Sequence, residues 1–171
     1  WGSIARLNDG SAAGGLAPTI ALGDAQMAVA GRGGVSLETV VDPFLIPQGR
    51  SQNPTFATAS FFASYSAATS VDVQSIGGSV EFVNDPNREG GLTSQLTSMN
   101  FLSIGTTSLI VYPGTVTAAA LGGDVRTGGA LALWPSPDGN LVLFARDDVD
   151  MSAGPLTMSD TDPRTFLNIA A

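Results

Sequence analysis

"VTAAALGGDVRTGGALALWPSPDGNLVLFARDDVDM", residues 116–151, is built from short apolar runs punctuated by two Gly-Gly pairs and one Pro-Ser-Pro-Asp-Gly turn. Leu131 and Leu133, then Leu141 and Leu143, alternate with neighbours that face the other way, which is the period-two pattern of strands four to six residues long. The same features return at a nearly fixed distance. Asp124-Val125 reappears as Asp148-Val149 after 24 residues, and the position of Val116 is taken by Leu141 after 25.

Working outward, "VDVQSIGGSV" (71–80) aligns without a gap to "VTAAALGGDV" (116–125) at an offset of 45 residues, and "AVAGRGGV" (28–35) places Gly33-Gly34 44 residues before Gly77-Gly78. The strands after these pairs close on Asp-Pro at Pro43 and Pro86, and a third Asp-Pro falls at Pro163. Half of the long offset is close to the finer period. A repeat of roughly 20–25 residues made of short strands and glycine turns is the signature of a β-solenoid, in which each coil buries its apolar side against the coils above and below.

The expectation is an all-β chain: a right-handed parallel β-helix of about six to seven coils, with residues 1–171 forming a single segment of a larger repetitive exoprotein. Inward ladders would contain Val71, Val73, Val80, Phe82, Leu131, Leu133, Leu141 and Leu143. Insertions are expected near 44–62 and 87–101, where the repeat fits badly and Pro, Ser, Asn and Gln accumulate, with Phe56, Phe61 and Phe62 folding back onto the stack. The longest helical candidate, from Thr115, is cut by Gly122 and Gly123. The alternative is an antiparallel β-sandwich, because alternation does not reveal pairing direction; the 44- and 45-residue offsets speak against it.

Composition narrows the chemistry. The chain has no Cys and no His, which removes disulfides, thiolate nucleophiles, Cys-ligated metals and the commonest general base. It has no Lys, so a Ser-Lys arrangement is absent too. Seven basic against fifteen acidic residues give a net charge of -8, and no two arginines are neighbours, so nucleic-acid binding is not expected. No apolar run reaches the length of a membrane span, and membrane insertion is not expected either. The start at Trp1, without signal-peptide features, reads as an interior or processed piece.

Three groups of residues compete for a functional role. Asp147, Asp148 and Asp150, with Asp160 and Asp162, supply enough carboxylates for a hard cation, but the spacing fits neither an EF-hand nor a glycine-rich nonapeptide repeat. The favoured reading is turn chemistry, with Asp148 repeating the step of Asp124 and no metal bound. Asp72, Glu81, Asp85 and Glu89 are the carboxylates a glycan-cleaving β-helix would use; Asp72 and Glu81 face outward on strands, Asp85 sits in an Asp-Pro turn, and no second basic residue joins Arg88. No catalytic residue and no cofactor are therefore assigned. Trp134 beside Pro135, Tyr112 beside Pro113, and Phe56 in the first insertion are the candidate contacts for a glycan or protein partner.

The order of these units, the strand-Gly-Gly-Asp-strand step, the Pro-Ser-Pro-x-Gly turn, Ala145-Arg146-Asp147-Asp148-Val149 and the closing Met158-Ser159-Asp160-x-Asp162-Pro163, resembles the repetitive passenger region of filamentous-haemagglutinin-like exoproteins over residues 20 to 165. That resemblance implies a non-enzymatic stalk, exported by two-partner secretion through a cognate outer-membrane pore. It would lie at, or be released from, the surface of a Gram-negative bacterium. Its implied partners are a receptor or glycan on a host or neighbouring cell, and end-to-end or lateral self-association is a further expectation. Some relatives are adhesins and others carry a toxin for contact-dependent growth inhibition. The amino-terminal secretion motif of the family does not occur in these residues.

Overall fold

The strands of the coils stack in parallel, with side chains of like position lying above one another. The computed structural model describes residues 18–45, 63–85, 103–104, 107–108 and 110–162. The first coil contains β1 (Thr19–Ala21), β2 (Gln26–Gly31) and β3 (Val35–Leu37). The second contains β4 (Thr39–Val41), a 3-10 turn at Pro43–Leu45, β5 (Ser70–Ser75) and β6 (Val80–Phe82). A two-residue antiparallel pair, β7 (Ser103–Ile104) with β8 (Thr107–Ser108), forms a sheet of its own. The third coil contains β9 (Val111–Tyr112), β10 (Thr115–Ala120) and β11 (Val125–Thr127). The fourth contains β12 (Leu131–Leu133), β13 (Asn140–Ala145) and β14 (Val149–Asp150), and β15 (Leu156–Thr157) begins the next turn of chain.

Three parallel faces result: β13-β10-β5-β2, β14-β11-β6-β3, and β15-β12-β9 continued by the separate pair β4-β1. The architecture is a parallel β-solenoid. Its register matches the glycine ruler: Val71 pairs with Val116, Val80 with Val125, Val116 with Leu141, and Val125 with Val149.

The inward ladder Met27-Val71-Val116-Leu141 on the first of these faces meets Val35-Val80-Val125 on the second, with Phe82 and Tyr112 filling the centre. Parallel in-register stacking satisfies each strand's backbone from its neighbours and leaves the side-chain alternation to make the core. Of the inward residues read from sequence, Val71, Val73, Val80, Phe82, Leu131 and Leu133 are buried. Leu141 and Leu143 face the core but are half-buried, because β13 is the last strand of its face among the described residues. Outward positions also pair by chemistry: Arg126 stands between Glu81 and Asp150, and Ser36 donates to Glu81 at 2.9 Å.

Among the described residues the stack holds four coils, and β15 begins a further turn. Gln26 pairs directly with Ser70, and Ser70 with Thr115, so an offset of 44 or 45 residues is one step of the stack. Each such step is one coil carrying an inserted segment, where halving the offset had counted two coils. The longest faces accordingly hold four strands among the described residues. Most of both expected insertions, with Phe56, Phe61, Phe62, Arg88 and Glu89, lies outside the described residues.

Glycine turns join the first two faces, and backbone hydrogen bonds run through them from coil to coil: Gly77 N donates to Arg32 O at 2.9 Å and Leu121 N to Ser75 O at 2.8 Å. This ladder leaves no room for side chains between turns. A Cβ on Gly122 would stand 2.6 Å from Gly77 C and 2.9 Å from Gly78 N, all backbone, whereas one on Gly33 would meet nothing within 4 Å. Gly122→Ala is therefore expected to cost about 1–3 kcal/mol by forcing the turns apart, and Gly33→Ala to stay within about 0.5 kcal/mol of the parent. Urea unfolding of the two variants side by side checks this; equal midpoints would contradict it.

Candidate functional site

On the third face, β9 and the adjoining β4 are covered on their outer side, while β15 stays exposed. All three residues of β4 are buried, so its apolar run Val40-Val41 has no solvent side. Val40 joins the main core, while Val41 and Val111 form a second small cluster with Ala63 and Trp134 packed against it. The cover is the chain returning from the first insertion, residues 63–69.

Two aspartates hold that return segment. Asp42, fully buried, accepts from Phe44 N at 2.8 Å through Oδ1, and from Ser64 N at 2.5 Å and Ser64 Oγ at 2.7 Å through Oδ2. Asp24 Oδ1 accepts from Ser66 Oγ at 2.5 Å and Thr69 Oγ1 at 3.1 Å. Tyr65 is the wedge between these anchors: its hydroxyl donates to Val111 O at 3.1 Å, and its ring meets Trp134 edge-on at 6.4 Å and 67°.

Where this cover meets the Trp134-Pro135-Ser136-Pro137-Asp138 turn, an open cleft of about 280 Å³ forms. Tyr65, Ser66 and Ala67 line it from the cover, residues 134–138 from the turn, and Asp162 completes the lining. That turn is fixed by hydrogen bonds: Ser136 N donates to Ser159 O at 3.0 Å, Ser136 Oγ accepts from Asp138 N at 3.3 Å, and Gly139 N returns to Ser136 O at 3.2 Å. The cleft offers aromatic and proline surface with two carboxylates and, among the described residues, no basic group in its lining.

Of the candidate contacts, Trp134 lines this cleft and Phe56 lies outside the described residues. Tyr112 does not belong to a surface, which corrects the expectation for it. It is 0% exposed, lies edge-on to Phe82 at 5.7 Å, and donates its hydroxyl to Asn84 Oδ1 at 2.7 Å. Asn84 occupies the corner before the second inserted segment with φ 39, a left-handed conformation Asn tolerates better than most residues. Tyr65, Asp42 and Asp24 were not singled out in the sequence. The one available signal was the uninterrupted run Thr39-Val40-Val41-Asp42, which lacks the alternation of an outward-facing strand.

Both tyrosines of the chain are buried, and burial disfavours the tyrosinate. Tyr65 is raised well above its ordinary value by desolvation and then by the charge of Asp42; Tyr112 is pushed up to about 12 by desolvation, with Glu38 adding to the rise. A raised folded value means that the stability contributed is intact below about pH 10, the unfolded value, and is lost as pH climbs from there toward 12. Absorbance at 295 nm should show little tyrosinate at pH 10.5 in the folded protein and roughly half or more in denaturant. A normal titration in the folded state would place at least one ring in solvent.

The other acidic residues are spread through turns and strand faces. Asp148 N donates to Asp124 Oδ1 at 3.0 Å and Asp148 O accepts from Val125 N at 2.9 Å, so the repeated Asp-Val step is a stacked turn. Asp150 Oδ1 accepts from Ser152 N at 3.0 Å, and its carboxyl is held below the usual range by Ser152, with Arg126 contributing. Asp147 lies 3.7 Å from Arg146, Asp72 takes the Gln74 amide at 3.1 Å, and Glu81 takes Ser36. Among the described residues no three of these carboxylates converge on a common point. No protein-family model matches the chain, and comparison with curated proteins and with solved structures returns no match.

Proposed function

We propose that this chain is a rigid, non-enzymatic spacer in a large surface protein of the filamentous-haemagglutinin type, carrying laterally inserted segments away from the cell that exports it. The observation that carries the reading is the constant register of the stack: β2, β5, β10 and β13 superpose residue on residue over six positions. Each added coil lengthens such a structure by about 4.8 Å and contacts only its neighbours. The fold therefore grows in one direction without redesign of its core.

A chain without Cys suits passage through an outer-membrane pore, since no disulfide has to form before or after transit. Coils of this kind assemble successively as they emerge, and the secretion pore is the partner this route requires. A receptor or glycan on another cell would be met by the inserted segments and not by the strand faces. Asp42 and Asp24 support this division of labour by fixing the return of the first insertion to the stack.

Length dependence tests the spacer. Residues 115–139 form one repeat of the register, so versions carrying zero, one or two extra copies can be displayed between a surface anchor and a fluorescent tag. Tag height should rise in equal steps of about 4.8 Å per copy. Copies that add slack, or leave the height unchanged, would overturn the reading.

A further inference from the structure

We infer that the cleft between Tyr65 and Trp134 is a binding site for one neutral pyranose ring of a glycan, independently of whether the stack serves as a spacer. The cleft exists because the return of an inserted segment is fastened against the turn that joins β12 to β13. Its volume of about 280 Å³ lies at the lower edge of the roughly 300–1,000 Å³ usual for small-molecule sites. That size suits a single ring of a longer chain.

The lining selects among ligands. Trp134, with Pro135 and Pro137, supplies an apolar surface on which the C–H face of a pyranose can lie. Asp138, exposed at the turn, supplies acceptors for sugar hydroxyls, and Asp162 adds a second carboxylate to the lining. Among the described residues no Arg lines the cleft, and the whole chain carries -8. Sulfated, sialylated or uronic sugars would bring a second anion against two carboxylates, so the site favours an uncharged sugar and rejects the acidic ones. Ser136 fixes the wall without competing for the ligand, since its Oγ accepts from Asp138 N at 3.3 Å inside the turn.

The experiment uses the full chain against immobilised neutral hexose and N-acetylhexosamine oligomers, sulfated and sialylated oligomers, and a Lys-rich peptide. Saturable binding to a neutral oligomer is expected, weakened at least tenfold in Trp134→Ala, with no acidic glycan bound. If Trp134→Ala loses its strand signal by circular dichroism, Asp138→Arg reads the same site from an exposed position: neutral binding should fall and sulfated binding appear. Binding of acidic glycans by the parent chain, binding of the Lys-rich peptide alone, neutral binding unaffected by both variants, or no glycan bound at millimolar concentration would each overturn the proposal.

Discussion

Phe82→Ala is expected to lower the unfolding free energy by about 3–5 kcal/mol, the range for emptying a fully buried phenylalanine site. Phe82 is 0% exposed and pairs with Leu37 below and Thr127 above, so the vacated volume has a coil on either side. Collapse into the gap is resisted from the third side as well. Tyr112, whose ring stands 5.7 Å away, is tied by its hydroxyl to Asn84, which is held in turn by a bond from its own N to Glu38 O at 2.9 Å. Leu143→Ala provides the contrast, since Leu143 is only half-buried in the last described strand of its face and should cost clearly less. Urea unfolding followed by circular dichroism measures both. A Phe82 penalty under about 1 kcal/mol would mean that this region is not the close-packed centre of the stack.

How far the sequence discloses this structure depends on which physical signal is asked for. Register is legible because the stacked turns of the second and third coils leave no room for a Cβ and demand glycine at the same height; the pairs at 77–78 and 122–123 therefore mark true neighbours, while the fourth coil makes the turn with Arg146-Asp147-Asp148. The number of coils is not legible from the same ruler. An offset of 45 residues is compatible with two plain coils or one coil plus an insertion, and alternation inside the insertion does not distinguish them. Tyr112 shows a subtler failure. Tyr112-Pro113 looks like Trp134-Pro135, yet Tyr112 pairs with Leu133 and so takes the inward place, leaving Trp134 one residue further on and facing out. A shift of one residue exchanges the core for the surface. Asp42 was read only as half of an Asp-Pro turn, because the partners of its carboxylate arrive from Ser64, 22 residues later.

Asp42→Ala should be the other severe substitution, and its damage should be local. The variant strips three donors, Phe44 N, Ser64 N and Ser64 Oγ, of one acceptor at a site that is 0% exposed. A buried donor left without a partner costs about 1–3 kcal/mol; Phe44 is exposed and Ser64 half-buried, so water replaces part of what is lost and the expected total is about 2–3 kcal/mol. The stack itself has little stake in them, because β2, β5 and β10 are joined by their own backbone ladder and by the inward valines. Loss should therefore appear first as release of residues 63–69 from Val41 and Val111. Hydrogen exchange at Tyr65 and Thr69 should quicken by two or more orders of magnitude while that at Val71 and Val116 changes far less. Tyr65, freed from desolvation and from the charge of Asp42, should then titrate close to pH 10. Asp42→Asn keeps an oxygen for Phe44 but turns an amide toward the Ser64 N–H, so it should resemble the alanine variant more than the parent. Unchanged exchange at 63–69 in both would show that the cover is held by its apolar contacts alone, with the aspartate incidental.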